Sequence, residues 1–80
     1  MNDKSILERI TELSEEELRL EEQLAADTHS DGSRERLSSI EVELDQCWDL
    51  LRQRRARRSA GQNPDDAEVR PAVVVEHYLQ

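Results

Sequence analysis

Eighty residues allow one small domain, close to the size at which a single apolar core is only just sufficient. Charged residues make up 38% of the chain and aromatic residues 2%, with no phenylalanine, which suits long solvent-washed helices and is poor for a sandwich or barrel. The formal net charge of −8 argues against the whole molecule acting as a nucleic-acid glove.

Near the N-terminus, Ser5-Ile6-Leu7-Glu8 has the spacing of a capping box, with Asp3 as a competing cap. Apolar residues then fall at Ile6, Ile10, Leu13, Leu20 and Leu24, a 4-3 spacing interrupted at Glu17 and widened by Leu7 and Leu18. The pattern predicts a helix over about residues 5–26. At Glu17 the expectation is that Leu18 takes over the contact; a polar seam residue that sets register is the alternative.

Residues 25–33, AADTHSDGS, are turn formers and place a turn at about 27–32. The second periodic segment carries Leu37, Ile40, Leu44, Cys47 and Leu51 at 3-4-3-4 spacing, with Val42, Trp48 and Leu50 around that seam. Gly61 stands where a C′ glycine closes a helix, so this helix covers about 33–60. A short turn makes the two helices antiparallel neighbours. Facing positions then sum to about 61, setting Leu24 against Leu37, Leu20 against Ile40, Leu13 near Cys47 and Trp48, Ile10 against Leu51, and Ile6 towards Arg54 and Arg55.

In the tail, Asn63-Pro64-Asp65-Asp66 is a helix start, with asparagine as cap, proline in the first turn and carboxylates near the positive helix end. It predicts a short helix near 64–69. The apolar segment 71–80 has Val74, Val75, Tyr78 and Leu79 at helical spacing, although three valines also favour a strand. A lone strand would have no partner, so a short helix packed on the hairpin is preferred to an extended tail.

These elements give an all-α fold: a coiled-coil-like antiparallel two-helix hairpin over residues 1–61 and a C-terminal tail over 62–80. Two helices share one seam, which is less burial than a three- or four-helix bundle provides. The expected remedy is a homodimeric four-helix bundle; a tail folded over the hairpin and a different partner protein are the others.

The run ELDQCWDLLRQRRARR at Glu43–Arg58, followed by GQNPDDAEVRP and VVEHYLQ, resembles a family of short actinobacterial proteins, the domain-of-unknown-function family number 2630. The resemblance covers the C-terminal half closely and the first helix in its general pattern, departing around Glu15 to Leu18. It implies a small helical protein and supplies no activity, cofactor or catalytic residue.

Arg52, Arg54, Arg55, Arg57 and Arg58 form a block with like charges three and four residues apart, each such pair costing a helix about 0.2–0.5 kcal/mol. The negative helix end favours cations there. Carboxylates within the chain or from a second copy, solvent, or external phosphates would complete the compensation. Carboxylates are the preferred reading, through Asp65, Asp66 and Glu68 folding back or through a partner copy's acidic helix. Trp48 reads as a core anchor, with a binding hot spot as the alternative, and Cys47 as a buried, inert thiol. Ile6, Ile10, Leu13, Leu20, Leu24, Leu37, Ile40, Leu44, Cys47, Trp48 and Leu51 are the expected hairpin core or interface.

His29 and His77 lack zinc-ligand spacing. The acidic run Glu15, Glu16, Glu17, Glu21 and Glu22 reads as a solvated face, and two glycines leave no phosphate-cradling loop. No catalytic residue, metal site or cofactor is expected. Asp27, Asp31 and Glu35 with His29 cluster at the hairpin tip, a shape shared with acidic-tipped transcript-cleavage factors. No apolar run approaches the roughly 18 residues of a membrane span, no secretory signal is evident, and one cysteine excludes an intrachain disulfide. A cytoplasmic, non-enzymatic interaction protein follows. It is expected to form a homodimer and to meet acidic partner proteins through the arginine block; a nucleic-acid or phosphate binder is the alternative.

Overall fold

The computed structural model describes residues 1–26 and 31–79, and side chains for residues 1–26 and 32–75. Two long helices, α1 (Asp3–Ala26) and α2 (Asp31–Ser59), are followed by a 3-10 turn at Pro64–Asp66 and a short helix α3 (Ala72–Leu79). The fold is all-α, and no strand occurs among the described residues. The expected turn residues Asp27 and His29 lie outside the described residues, as do the side chains of Asp31, His77, Tyr78 and Leu79.

Each helix boundary has a local cause. Asn2, rather than Ser5 or Asp3, caps α1: its Oδ1 accepts from the Ser5 amide at 2.8 Å, while Ser5 Oγ accepts from the Asn2 amide at 3.1 Å. The reciprocal pair moves the helix start forward of the sequence expectation and leaves Asp3 free to act elsewhere. At the other end of α2, Gly61 adopts φ +72°. The Gln62 amide reaches Arg57 O at 2.8 Å and the Gly61 amide reaches Arg58 O at 3.2 Å, the two bonds of a Schellman cap. The Asn63 side chain accepts from the Asp65 amide at 3.0 Å and opens the single turn at Pro64–Asp66. Pro71 then starts α3, its carbonyl accepting from the Val74 and Val75 amides.

The core runs along the seam between α1 and α2 and under the tail. Ile6, Ile10, Leu50 and Leu51 form one buried cluster, with Leu44, Cys47 and Ala67 packed against it. Leu13, Ile40 and Val75 are also buried, while Leu20, Leu24 and Leu37 are half-buried. Leu50, which the spacing sets beside the seam rather than in it, is 4% exposed. It is buried because the returning tail lays Ala67 against the same cluster, a third layer that helical periodicity alone does not reveal.

Register also differs from the symmetric expectation. Glu16 pairs with Arg36 rather than standing opposite Asp45, and Arg9 pairs with Glu43 rather than facing Arg52. Towards the open end, Asp3 meets Arg54 and Arg58. α2 begins at Asp31, earlier than expected, and long arginine and glutamate side chains bridge positions that are not level. Leu18 is exposed and Glu17 half-buried, so Leu18 does not take over the seam position.

Candidate functional site

The circumference of α2 between Glu43 and Arg58 is divided among α1, the tail and solvent. One stripe, Leu44, Cys47, Leu51, Arg54 and Arg58, faces α1. A second, Gln46, Asp49, Leu50 and Gln53, faces the tail. The third, Asp45, Trp48, Arg52 and Arg55, turns outward. Residues three and four apart share a helix face, so the densest stretch of the sequence serves three surfaces at once.

On the tail-facing stripe the chemistry is that of a latch. Asp49 is 0% exposed, and its carboxylate accepts from Arg70 Nε at 2.8 Å, from Arg70 Nη2 and from Gln53 Nε2 at 2.9 Å. Arg70 holds that carboxyl below the usual carboxylate range, against the opposing effect of burial, with Gln53 assisting. Gln53 Nε2 also donates to Glu68 O at 2.8 Å, and Gln46 Nε2 donates to Arg70 O at 3.1 Å. Amide side chains on α2 therefore satisfy backbone carbonyls of an irregular segment that would otherwise be left unpaired against the helix.

The arginine block is split. Arg54 is 5% exposed and donates to Asp3 Oδ1, to Asp65 Oδ1 at 3.0 Å and to Pro64 O at 3.1 Å, joining both ends of the chain at one guanidinium. Arg58 grips the same carboxylate through Asp3 Oδ2 at 2.7 Å and Oδ1 at 3.2 Å. Hydrogen bonds from Arg58 and then Arg54 push Asp3 down from 3.8 to about 2. Arg52 lies 3.7 Å from Asp49. Arg55 is exposed, and no ion pair forms at it among the described residues. Arg57 is half-buried.

Trp48 departs from the anchor reading: it is 52% exposed. With Asp45, Leu51, Arg52 and Arg55 it lines an open groove on the outward stripe. Cys47 is half-buried, and burial, followed by the charge of Glu43, pushes its thiol up from 9.0, which suits an unreactive core thiol. Glu15, Glu21 and Glu22 are exposed, whereas Glu16 is drawn below its usual range by Arg36. Among the described residues, no group of three or more His, Cys, Asp or Glu is arranged to hold a metal ion. Nor is any helix long and apolar enough to cross a membrane.

Asp49, Gln53 and Gln46 were not singled out in the sequence, and neither was the burial of Arg54. A signal for Asp49 was present. An aspartate between Trp48 and Leu50, next to the apolar seam of a long helix, asks for a cation, and Arg70 is the arginine of the tail.

The run from Glu43 to Arg58 and the tail that it grips are the stretches on which the family resemblance rests. A family model described as protein of unknown function, DUF2630, matches residues 2–80. The chain belongs to the DUF2630 family. Proteins of Mycobacterium tuberculosis and Mycobacterium bovis, each carried as an uncharacterized protein, are 49% identical to it over 77 residues, covering 95% of this chain and 88% of the relative. No solved structure matches it. The DUF2630 match extends over α1 as well as the C-terminal half and includes the region around Glu15 to Leu18.

Proposed function

We propose that this DUF2630 protein is a non-enzymatic interaction protein of the cytoplasm, which associates with itself through its helices and meets acidic partners with the outward arginines of α2. The division of the arginine block carries this reading. Arg54 and Arg58 are closed on Asp3 and Asp65, while Arg55 stands in solvent beside Trp48. The first two hold the fold; Arg55 is available to a partner. An exposed tryptophan flanked by arginines has the composition of a binding hot spot. The non-enzymatic reading is supported by where the reactive groups go: the Asp49 carboxylate is taken up by Arg70 and Gln53, and the Cys47 thiol is raised by burial.

A second reading, phosphate or single-stranded nucleic-acid binding, is favoured by one observation. Trp48 with Arg52 and Arg55 in one groove resembles an aromatic stacking platform edged with cations. The net charge of −8 and the engagement of Arg54 and Arg58 weigh against it.

Light scattering on a sizing column at low and high salt, followed by titration with poly-glutamate and with a labelled oligonucleotide, tests the proposal. The expected result is a mass above the 9.3 kDa chain and poly-glutamate binding that Arg55→Glu removes. A monomer that binds only the oligonucleotide, with a steep log–log salt dependence, would establish the second reading instead.

A further inference from the structure

Two cross-helix pairs orient the hairpin. Arg9 and Glu43, and likewise Glu16 and Arg36, each precede a seam position by one residue, and they meet on one side of the hairpin. In an antiparallel pair, equal rotation on both helices leads to the same side. Residues one position after the seam must therefore share the opposite side. Those positions are Leu7, Thr11, Ser14 and Leu18 on α1, and Trp48, Arg52 and Arg55 on α2.

The tail approaches α2 at Gln46, Asp49 and Gln53, and so leaves that second side uncovered. Leu7, Leu18 and Trp48 are 47, 57 and 52% exposed. Leu7 lies between Asp3, which meets Arg54 and Arg58, and Arg9, which meets Glu43, so it falls within the stretch of α2 that contains Trp48. Leu18 is three turns away, roughly 16 Å at ~1.5 Å per residue.

The two apolar spots differ in charge. Near Leu7 and Trp48 stand Lys4 and Arg55; beside Leu18 stand Glu15 and Glu22, all exposed. Glu22 approaches the C-terminus of α1, where the helix dipole disfavours anions, and no basic residue occupies the last turn of that helix. An external cation at that end would relieve this.

We infer that this uncovered side is a two-fold interface with a second copy of the chain, in which Leu7 and Trp48 of one copy pack over Leu18 of the other and Arg55 meets the partner's acidic α1 end. A two-fold axis crossing the helices between Leu7 and Leu18 brings each basic end onto an acidic end, and both complementary contacts form twice. The proposal rests on the self-association reading above and assigns it a face and a register.

Trp48, the chain's one tryptophan, reports on the contact directly. Its emission is followed on dilution while mass is measured by sedimentation equilibrium. The expected result is a species near twice 9.3 kDa whose Trp48 emission moves to the red on dissociation. Leu18→Glu abolishes the dimer. Arg55→Glu and Glu22→Arg each weaken it by about tenfold or more, and together they restore it, because like charges facing across an interface are penalised and a double swap removes the repulsion. All three positions are exposed, so far-ultraviolet circular dichroism at low concentration should be unchanged in these variants. A dimer that keeps Trp48 in water, or that Val73→Glu breaks while Leu18→Glu does not, overturns the assigned face and leaves self-association standing. A monomer at every concentration overturns both.

Discussion

The buried Asp49 carboxylate on α2 and the Arg70 guanidinium in the tail form a two-point ion pair across 21 residues of sequence. Neither residue is stable in that setting alone: α2 would bury an unpaired charge, and the tail would have no fixed path back along the hairpin. Gln53 and Gln46 complete the arrangement by taking the carbonyls of Glu68 and Arg70. The tail is thereby a structural third layer rather than an appendage.

Arg70→Ala should cost about 3 kcal/mol, since it removes the main partner of a buried carboxylate and leaves only Gln53 and the more distant Arg52. Hydrogen exchange across residues 67–75 should speed up more than exchange in α1. Asp49→Asn should be milder, because an amide still pairs with Gln53 and accepts from Arg70. Urea unfolding of the two variants ranks them, and the opposite order would mean that Arg70 contributes little beyond its aliphatic stem.

Acid should loosen the contacts that Asp3 and Asp49 hold. Asp3 has its folded-state value depressed to about 2 from 3.8, so its contribution is complete above about pH 4 and is lost as pH falls towards 2. Asp49, depressed in the same direction by Arg70, adds to the loss on the same side. Melting temperature against pH should therefore fall below about pH 4. Asp3→Asn should flatten part of that fall while lowering the plateau near neutrality.

At Gly61 the backbone sits at φ +72° with open space where a Cβ would point. Gly61→Ala should then cost only the left-handed strain, about 1 kcal/mol, without a steric clash. Gly61→Asn should recover part of it. Denaturant titration distinguishes this from a packing defect, which would cost the two variants alike or penalise the larger side chain more.

Cys47 should react slowly with a thiol reagent in the folded protein and rapidly once the chain is unfolded. Half-burial restricts access, and the raised thiol value reduces the thiolate fraction at neutral pH. Rates measured at pH 7 to 9 should lag behind those of a free cysteine throughout. A fast reaction in the folded state would place Cys47 in a more open setting.

Much of this could be read from local rules. The 3-4 spacing of Ile6, Ile10, Leu13, Ile40 and Leu51 defines a seam because helical geometry repeats every 3.6 residues. Gly61 and Asn63-Pro64 mark boundaries because capping depends on neighbours in sequence. The compensation of Arg54 by Asp65 was legible too, since a carboxylate just past a helix end has few other places to fold.

Other assignments had no local signature. Leu50 and Trp48 are apolar residues two positions apart, on either side of Asp49, yet one is buried and the other half in water, because the tail returns along one side of α2 only. Asp49 reads as a surface acid until Arg70 is folded against it. The sequence by itself determined the two long helices, the glycine cap that ends α2 and the apolar seam, all consequences of interactions within a few residues. Only the tertiary structure decided which flank of α2 the tail covers, and hence which arginines close the fold and which remain outward. That choice depends on pairing groups ten to fifty residues apart, where burial of a charge is permitted only by the partner that the fold delivers.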